Sequence, residues 1–225
     1  MRVSESLSTL RRLLVPYGEI PDGEAQRLLG LLKQRELLKG EFLTHAGERP
    51  REFGLVLTGL IRKFYVTQDG RQITRGFAER GELAGAYAAL LDQSESRLGV
   101  QALEPSRLFT LEFSALEALY KQHACWNTLG RRVAERLFVE REQRESDLLL
   151  LTPEQRYEKF LAERPELAQR VPQYQIASYL GITPVSLSRI RARRQRRRGS
   201  DSGSAPSPAD RSSAPRPERH RSFLR

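Results

Sequence analysis

VPQYQIASYLGITPVSLSRIRARR, residues 171–194, is the stretch on which the reading of this chain turns. Its spacing predicts a helix over Gln173–Leu180 with Ile176, Ala177 and Leu180 inward. Ala177 is small where two helices would cross closely. Gly181 supplies a turn, because the left-handed conformation is cheap without a Cβ. Ile182 then fills the angle. Thr183 is placed to cap a second helix with Pro184 in its first turn. Leu187 and Ile190 of that helix face a core, while Ser186, Ser188, Arg189 and Arg193 face out. Short polar groups and arginines on the outer face of a second helix are what insertion into a DNA major groove requires. The N-terminal half approaches base edges, and Arg191, Arg193 and Arg194 reach phosphates. A helical hairpin that merely packs would not need the glycine turn, the cap and the cationic face together.

The charge distribution supports that reading. The chain has 225 residues and a net charge of +10. Residues 189–225 hold 12 arginines and 3 acidic groups, a net of +9, which leaves +1 for residues 1–188. Such a block attracts polyanions through phosphate charge and counterion release. From Gly199 onward the chain is Ser, Pro, Ala, Gly, Asp and Arg with almost no apolar residue. That composition cannot offset the entropy of ordering, so 199–225 is expected to be disordered.

Upstream, the period alternates. Residues 5–32 read as short helices around a Pro16–Gly18 break, with Asp22 placed to cap the second. Leu37-Leu38, Phe42-Leu43, Leu55–Leu57, Leu60–Val66, Gln72–Phe77, Leu98–Ala102 and Arg107–Leu111 are short strand-like runs separated by turn signals. They predict a sandwich or small barrel. After Glu112 the period is helical again, with Leu116, Leu119 and Tyr120 on one face. A long helix follows from Ala124, with Trp126, Leu129, Val133 and Leu137 forming one apolar stripe before the charged run Glu140–Asp147. Such a helix suits a dimer interface, packing on its own β domain, or both on different faces. Thr152-Pro153-Glu154-Gln155 has the form of a capping box.

Other classes are excluded by composition. The single cysteine, Cys125, rules out a disulfide framework, a cysteine-zinc site and a cysteine-ligated iron–sulfur cluster within one chain. No apolar run approaches ~18 residues, and the N-terminus has no signal-peptide pattern, so a cytoplasmic protein with no membrane partner is expected.

These features together resemble the Crp/Fnr superfamily of bacterial transcription regulators, over most of residues 35–194. The β region carries the family's cyclic-nucleotide-binding-like pattern in Gly47-Glu48, Leu55–Leu57, Gly59, Ile61-Arg62, Asp69-Gly70 and Phe77. Gly81-Glu82-Leu83-Ala84-Gly85 follows, in the position of the family's short phosphate-binding helix. The resemblance implies an α+β fold in four parts. Residues 1–112 would form N-terminal helices and a jelly-roll sensor, 113–150 a short helix and the long dimerisation helix, 151–198 the helix–turn–helix domain, and 199–225 a basic tail. It implies a homodimer on a palindromic DNA operator, with RNA polymerase as a further partner.

The departures from the family are informative. Members that bind cyclic AMP hold its phosphate with a glutamate-bearing helix and an Arg-Ser pair. Here the glutamate position reads Ala86 and the pair reads Ser96-Arg97. A one-residue shift in a strand turns a side chain to the opposite face, so Arg97 is expected to point away from the pocket. The long-helix positions that contact adenine in such members read Arg141-Glu142. The resemblance therefore does not support cyclic AMP as effector; another small effector, or none, remains. Leu83, Gly85, Ala86, Tyr87, Ser96 and Arg97 are the candidate pocket residues, with the facing helix around Trp126–Leu137. Haem branches use Cys or His ligands, but His45, His123 and Cys125 sit in no recognisable motif, and no metal site is expected.

At the DNA end, the recognition helix begins Pro184-Val185 where cyclic-AMP receptors carry Arg-Glu. Direct readout falls to Val185 (on a thymine methyl), Ser186 or Ser188, and Arg189 (bidentate to guanine). The candidate DNA contacts are Gln173, Thr183, Val185, Ser186, Ser188, Arg189, Arg191, Arg193 and Arg194. The family's β-hairpin wing is absent, and Arg193–Arg198 stand in its place. Two other classes compete with a regulator. A cupin-like enzyme needs clustered His and carboxylate ligands, whereas the strands offer His45 alone. A non-specific cationic binder would act through the tail.

Overall fold

The computed structural model describes residues 3–202, with side chains from residue 4 to residue 197. Two compact units emerge, one ending at Pro184 and the other beginning at Val185.

The first unit opens with α1 (Val3–Leu14), a 3-10 turn (Val15–Tyr17) and α2 (Asp22–Leu31). Leu10, Leu13 and Leu14 of α1 and Ala25 and Leu28 of α2 are buried. Asp22 does not cap α2. Pro21 holds the cap position, and the Asp22 carboxylate is already within the helix, paired with Arg11.

Eight strands follow: β1 (Lys33–Leu37), β2 (Phe42–Thr44), β3 (Glu52–Thr58), β4 (Ile61–Val66), β5 (Gln72–Ala78), β6 (Leu83–Ala84), β7 (Leu98–Ala102) and β8 (Ser106–Glu112). They form two antiparallel four-stranded sheets, ordered β1-β8-β3-β6 and β2-β7-β4-β5. The first strand lies earlier than expected. It uses the polar run Lys33-Gln34-Arg35, which suits a sheet edge where charged side chains deter further pairing. β6 is two residues long, too short to leave a periodic signature in sequence.

Strand alternation divides the apolar residues between two cores. Val56 of β3 and Leu108 of β8 join Ile61, Ala78, Val100 and Ala102 in one cluster. Their neighbours Leu55, Leu57, Phe109 and Leu111 turn to the other face and join the N-terminal helices, α4 (Phe113–Tyr120) and α5 (Ala124–Leu150) in a second cluster. The apolar stripe of α5 belongs to this second core. Trp126 and Val133 are buried and Leu129 and Leu137 are packed against it, so these four are not the residues that α5 leaves exposed. Phe138, Val139, Leu148, Leu149 and Leu150 are.

The unit closes with α6 (Pro153–Glu163), α7 (Leu167–Arg170) and α8 (Gln173–Tyr179). The capping box on α6 is present: Gln155 N–H donates to Thr152 Oγ1 at 3.3 Å, and Thr152 N–H donates to Gln155 Oε1 at 2.9 Å.

α9 runs Pro184–Ser202. It continues through residues 199–202, where disorder was expected; residues 203–225, the rest of that expected tail, lie outside the described residues.

Candidate functional site

α8 ends in a Schellman turn. Gly181 N–H donates to the Ser178 carbonyl at 3.2 Å and Ile182 N–H to the Ala177 carbonyl at 3.0 Å. Gly181 adopts φ +68, and a Cβ there would lie 3.1 Å from Leu148 Cδ2. Glycine is required both by the left-handed backbone and by the approach of α5. α9 follows two residues later. Leu187 and Ile190 are buried. Val185, Ser188, Arg189, Arg191, Arg193, Arg196 and Arg197 are exposed, whereas Ser186 and Arg194 are half-buried. No backbone hairpin interrupts the arginine run, which is part of the helix itself. Thr183 is exposed ahead of α9.

Gln173 stands apart from these residues. It opens α8, and its Oε1 is buried without a hydrogen-bond partner among the described residues; so is Oε1 of Gln175. α8 lies on β5 of the sandwich. Thr74 N–H donates to Ser178 Oγ at 2.9 Å, and Arg144 of α5 donates to the Tyr179 carbonyl at 2.7 Å while its guanidinium sits 4.3 Å over the Tyr179 ring. Burial pushes the Arg144 pKa below its ordinary value, with the Tyr179 interactions opposing that shift. Arg164 bonds Glu82 twice, and Arg170 bonds Glu79 at 2.8 Å and Glu104 at 2.6 Å. The helices ahead of α9 are thus held to the sandwich by these polar contacts together with the Tyr179 ring, whose centroid lies 5.6 Å from that of Phe77.

The second feature is a cavity of about 360 Å³ between the strands, the N-terminal helices and α5. Leucines and aromatic rings dominate its lining, which contains no aspartate or glutamate. Of the six pocket candidates, Leu83, Gly85 and Tyr87 line it, and Ala86, Ser96 and Arg97 do not. Ala86 is buried as the residue before the short helix α3 (Tyr87–Leu91). Ser96 is buried in the loop ahead of β7 and is turned onto the first residue of that strand, donating to the Leu98 carbonyl at 2.9 Å and accepting from Leu98 N–H at 3.0 Å. Arg97 is exposed, in the bend ahead of β7 (Leu98–Ala102) and outside any strand, so alternation along a strand does not set its direction.

Three cations line the cavity: Lys63 of β4, Arg75 of β5 and Arg141 of α5. Lys63 is 8% exposed, and its Nζ reaches the Leu83 carbonyl at 3.4 Å. Desolvation, with a smaller push from Arg75, lowers its pKa to about 8. Arg141 is exposed, as are Tyr65 and Phe138 beside it in the lining, so the cavity opens to solvent there. Tyr120 lies so close to α5 that a Cβ at Gly130 would collide with its hydroxyl. Burial and the neighbouring Tyr87 push the Tyr120 pKa to about 12. Lys63 and Arg75 escaped the sequence reading. The signal that marks them is a basic residue at inward register: Lys63 shares the parity of Ile61, which belongs to the inter-sheet core.

Known proteins agree with this architecture. The cyclic nucleotide-binding domain family matches residues 34–123. The fumarate and nitrate reduction regulatory protein of Yersinia pestis is 24% identical over 200 residues, covering 82% of this chain and 78% of that protein. The structure of FixK2 from Bradyrhizobium japonicum superposes with a TM-score of 0.65 at 21% identity, over 74% of this chain and 85% of that one. That of the Thermus thermophilus catabolite activator protein gives 0.52 at 19%, over 84% and 87%. The chain is thus similar, in sequence and in fold, to regulators of the Crp/Fnr type. Among its described residues no helix is long and apolar enough to cross a membrane.

Proposed function

We propose that this protein is a regulator of the Crp/Fnr type, a sequence-specific DNA-binding regulator of transcription that acts as a homodimer. The observation that carries the reading is α9. Its first turns present Val185, Ser188 and Arg189 to solvent, and the same helix continues into exposed arginines. Val185, Ser186, Ser188 and Arg189 read base edges. Thr183, Arg191, Arg193, Arg194 and the arginines that follow engage phosphates and set affinity. Gln173 joins them once its buried end is released from its present surroundings.

The dimer reading is supported by α5. Phe138, Val139, Leu149 and Leu150 are large, apolar and at least half exposed, which favours burial against a second copy. The dimer contacts are therefore assigned to these residues and not to the stripe from Trp126 to Leu137. Two such protomers place their recognition helices about one helical turn, ~34 Å, apart on a palindromic operator, where RNA polymerase is the further partner.

Control runs through the cavity, which takes a small effector other than cyclic AMP. The absence of any cavity-lining glutamate, with Ser96 and Arg97 both outside the lining, supports that part of the reading. Selection of binding sites from a random DNA pool tests the whole. A recovered two-fold symmetric sequence is the expected result, and recovery of no preferred sequence overturns it.

A further inference from the structure

Lys63 is a buried cation whose surroundings leave it short of a counter-ion. It is 8% exposed, and its polar contact is a single 3.4 Å bond to the Leu83 carbonyl. Two carboxylates, Glu82 and Glu140, line a second, smaller cavity together with Lys63 and act on it electrostatically, without a hydrogen bond or ion pair to its Nζ. Both are engaged elsewhere: Arg164 bonds Glu82 at 3.0 Å, and Arg136 bonds Glu140 at 3.0 Å. Arg75 and Arg164 face Lys63 with like charge. A buried ammonium in this position is costly unless an anion completes it.

The cavity can supply that anion from solvent. Lys63, Arg75 and Arg141 all line it, no acidic residue does, and Arg141 stands at its open side. The rest of the wall suits an aliphatic body. Leu83, Leu129, Leu137 and the Trp126 ring are among its surfaces. Three of the polar groups there are already used. Trp126 Nε1–H donates to Glu24 at 2.7 Å, Tyr17 donates to the Gly81 carbonyl at 3.4 Å, and Tyr120 is hydrogen-bonded to Tyr87. A ligand with several hydrogen-bonding edges, such as a nucleobase and ribose, would find few partners. A ligand with one charged end and an apolar remainder finds both of its needs met. The volume, about 360 Å³, lies near the lower end of the ~300–1,000 Å³ range of small-molecule sites.

We propose that the cavity binds a medium-chain aliphatic carboxylic acid, its carboxylate ion-paired with Lys63 and flanked by Arg75 and Arg141, its chain lying against the leucines under α5. This names the effector class of the regulator described above, and its regulatory meaning rests on that reading, whereas the binding does not.

Trp126 is the sole tryptophan of the chain and part of the cavity wall, so its fluorescence reports occupancy directly. The test titrates the full-length protein with decanoate, decan-1-ol and cyclic AMP. Decanoate should saturate the signal with an affinity at least tenfold tighter than the alcohol, and cyclic AMP should be the weakest. Lys63→Met, which keeps the stem and removes the charge, should abolish the preference for the acid while retaining the alcohol. Lys63→Gln serves if the first variant does not fold. Equal affinity for acid and alcohol in the unaltered protein overturns the proposal. So does a Lys63 variant that binds decanoate as before, or cyclic AMP as the tightest of the three. Gel-shift on the selected operator runs in parallel. Loss of all DNA binding there sinks the regulator reading and leaves the fluorescence result standing.

Discussion

Arg164 and Glu82, 82 residues apart in sequence, meet through two hydrogen bonds of 3.0 and 3.3 Å, and the residue after Glu82 is a wall of the cavity. Burial works against the Arg164 charge, yet Glu82 and Glu79 hold its pKa above the ordinary value. Glu82 lies in the bend immediately ahead of β6 (Leu83–Ala84). Leu83 touches whatever occupies the cavity, and Glu82 holds the helices that precede α9. The cavity wall and the anchor of those helices are thus consecutive residues of the chain.

Breaking that pair should loosen α8 from β5. Arg164→Ala is expected to cost about 1 kcal/mol, since both partners keep some access to water. The informative readout is local. Amide exchange over Gln173–Tyr179 should accelerate by several-fold while the strands exchange as before. Uniform acceleration through the sandwich would contradict a docking role.

Lys63 gives a pH prediction whose sign can be worked out. Its pKa is lowered to about 8 from an ordinary 10.5, so between those values the unfolded chain binds the proton that the folded chain has released. Stability contributed by this site therefore rises with pH across that window and is flat below it. Arg75, Arg164, Glu82 and Glu140 are the charges that act on it. The shift corresponds to roughly 3 kcal/mol as an upper bound. Lys63→Met should be more stable than the unaltered protein at pH 7, with the gap narrowing as pH passes 8. Urea unfolding at a series of pH values measures it, and a gap that widens above pH 8 would refute the assignment.

Thr152→Ala removes the side-chain acceptor for Gln155 N–H. A loss of ~1 kcal/mol is expected, or about 2–4 °C in Tm for a chain of this size. Thr152→Ser should recover most of it in the same thermal melts.

On α9 two arginines should behave differently. Arg189→Ala is expected to relax base preference at one position of each half-site, costing ~1–3 kcal/mol there. Arg197→Ala should weaken all sequences alike and shallow the salt dependence by about one unit of slope. Site selection together with salt titration of each variant separates the two roles.

Leu149→Glu tests the interface. The side chain is 76% exposed in the single chain, so a glutamate there should leave the fold intact. Sedimentation should show a shift to monomer and gel-shift a loss of operator affinity. A dimer unchanged by this substitution and by Phe138→Glu would place the interface elsewhere.

Much of this architecture was legible in the order of residues. Gly181 between Ala177 and Thr183 announced the turn, and Thr152-Pro153-Glu154-Gln155 announced the start of α6, because caps and turns are written in local chemistry. What stayed hidden depends on partners distant in sequence. Asp22 has the residue type of a cap but is drawn into a pair with Arg11. The α5 stripe is the same whether it meets a second copy or its own N-terminal helices, and periodicity alone does not say which. Lys63 reads as one polar residue in a strand until the sheet register and α5 enclose it.

The continuity of α9 has a consequence for how the arginine run acts. A separate hairpin would choose its own angle to the duplex. A helix cannot: each residue turns the next by 100° and advances it 1.5 Å. Ser186, Arg189, Arg193 and Arg197 are spaced three, four and four apart and so share one angular sector of α9. Rotational phase, then, is what the helix fixes along this arginine run. Inserting a single residue after Arg194 would leave the charge and composition of the run unchanged while swinging every later arginine away from the backbone it faces.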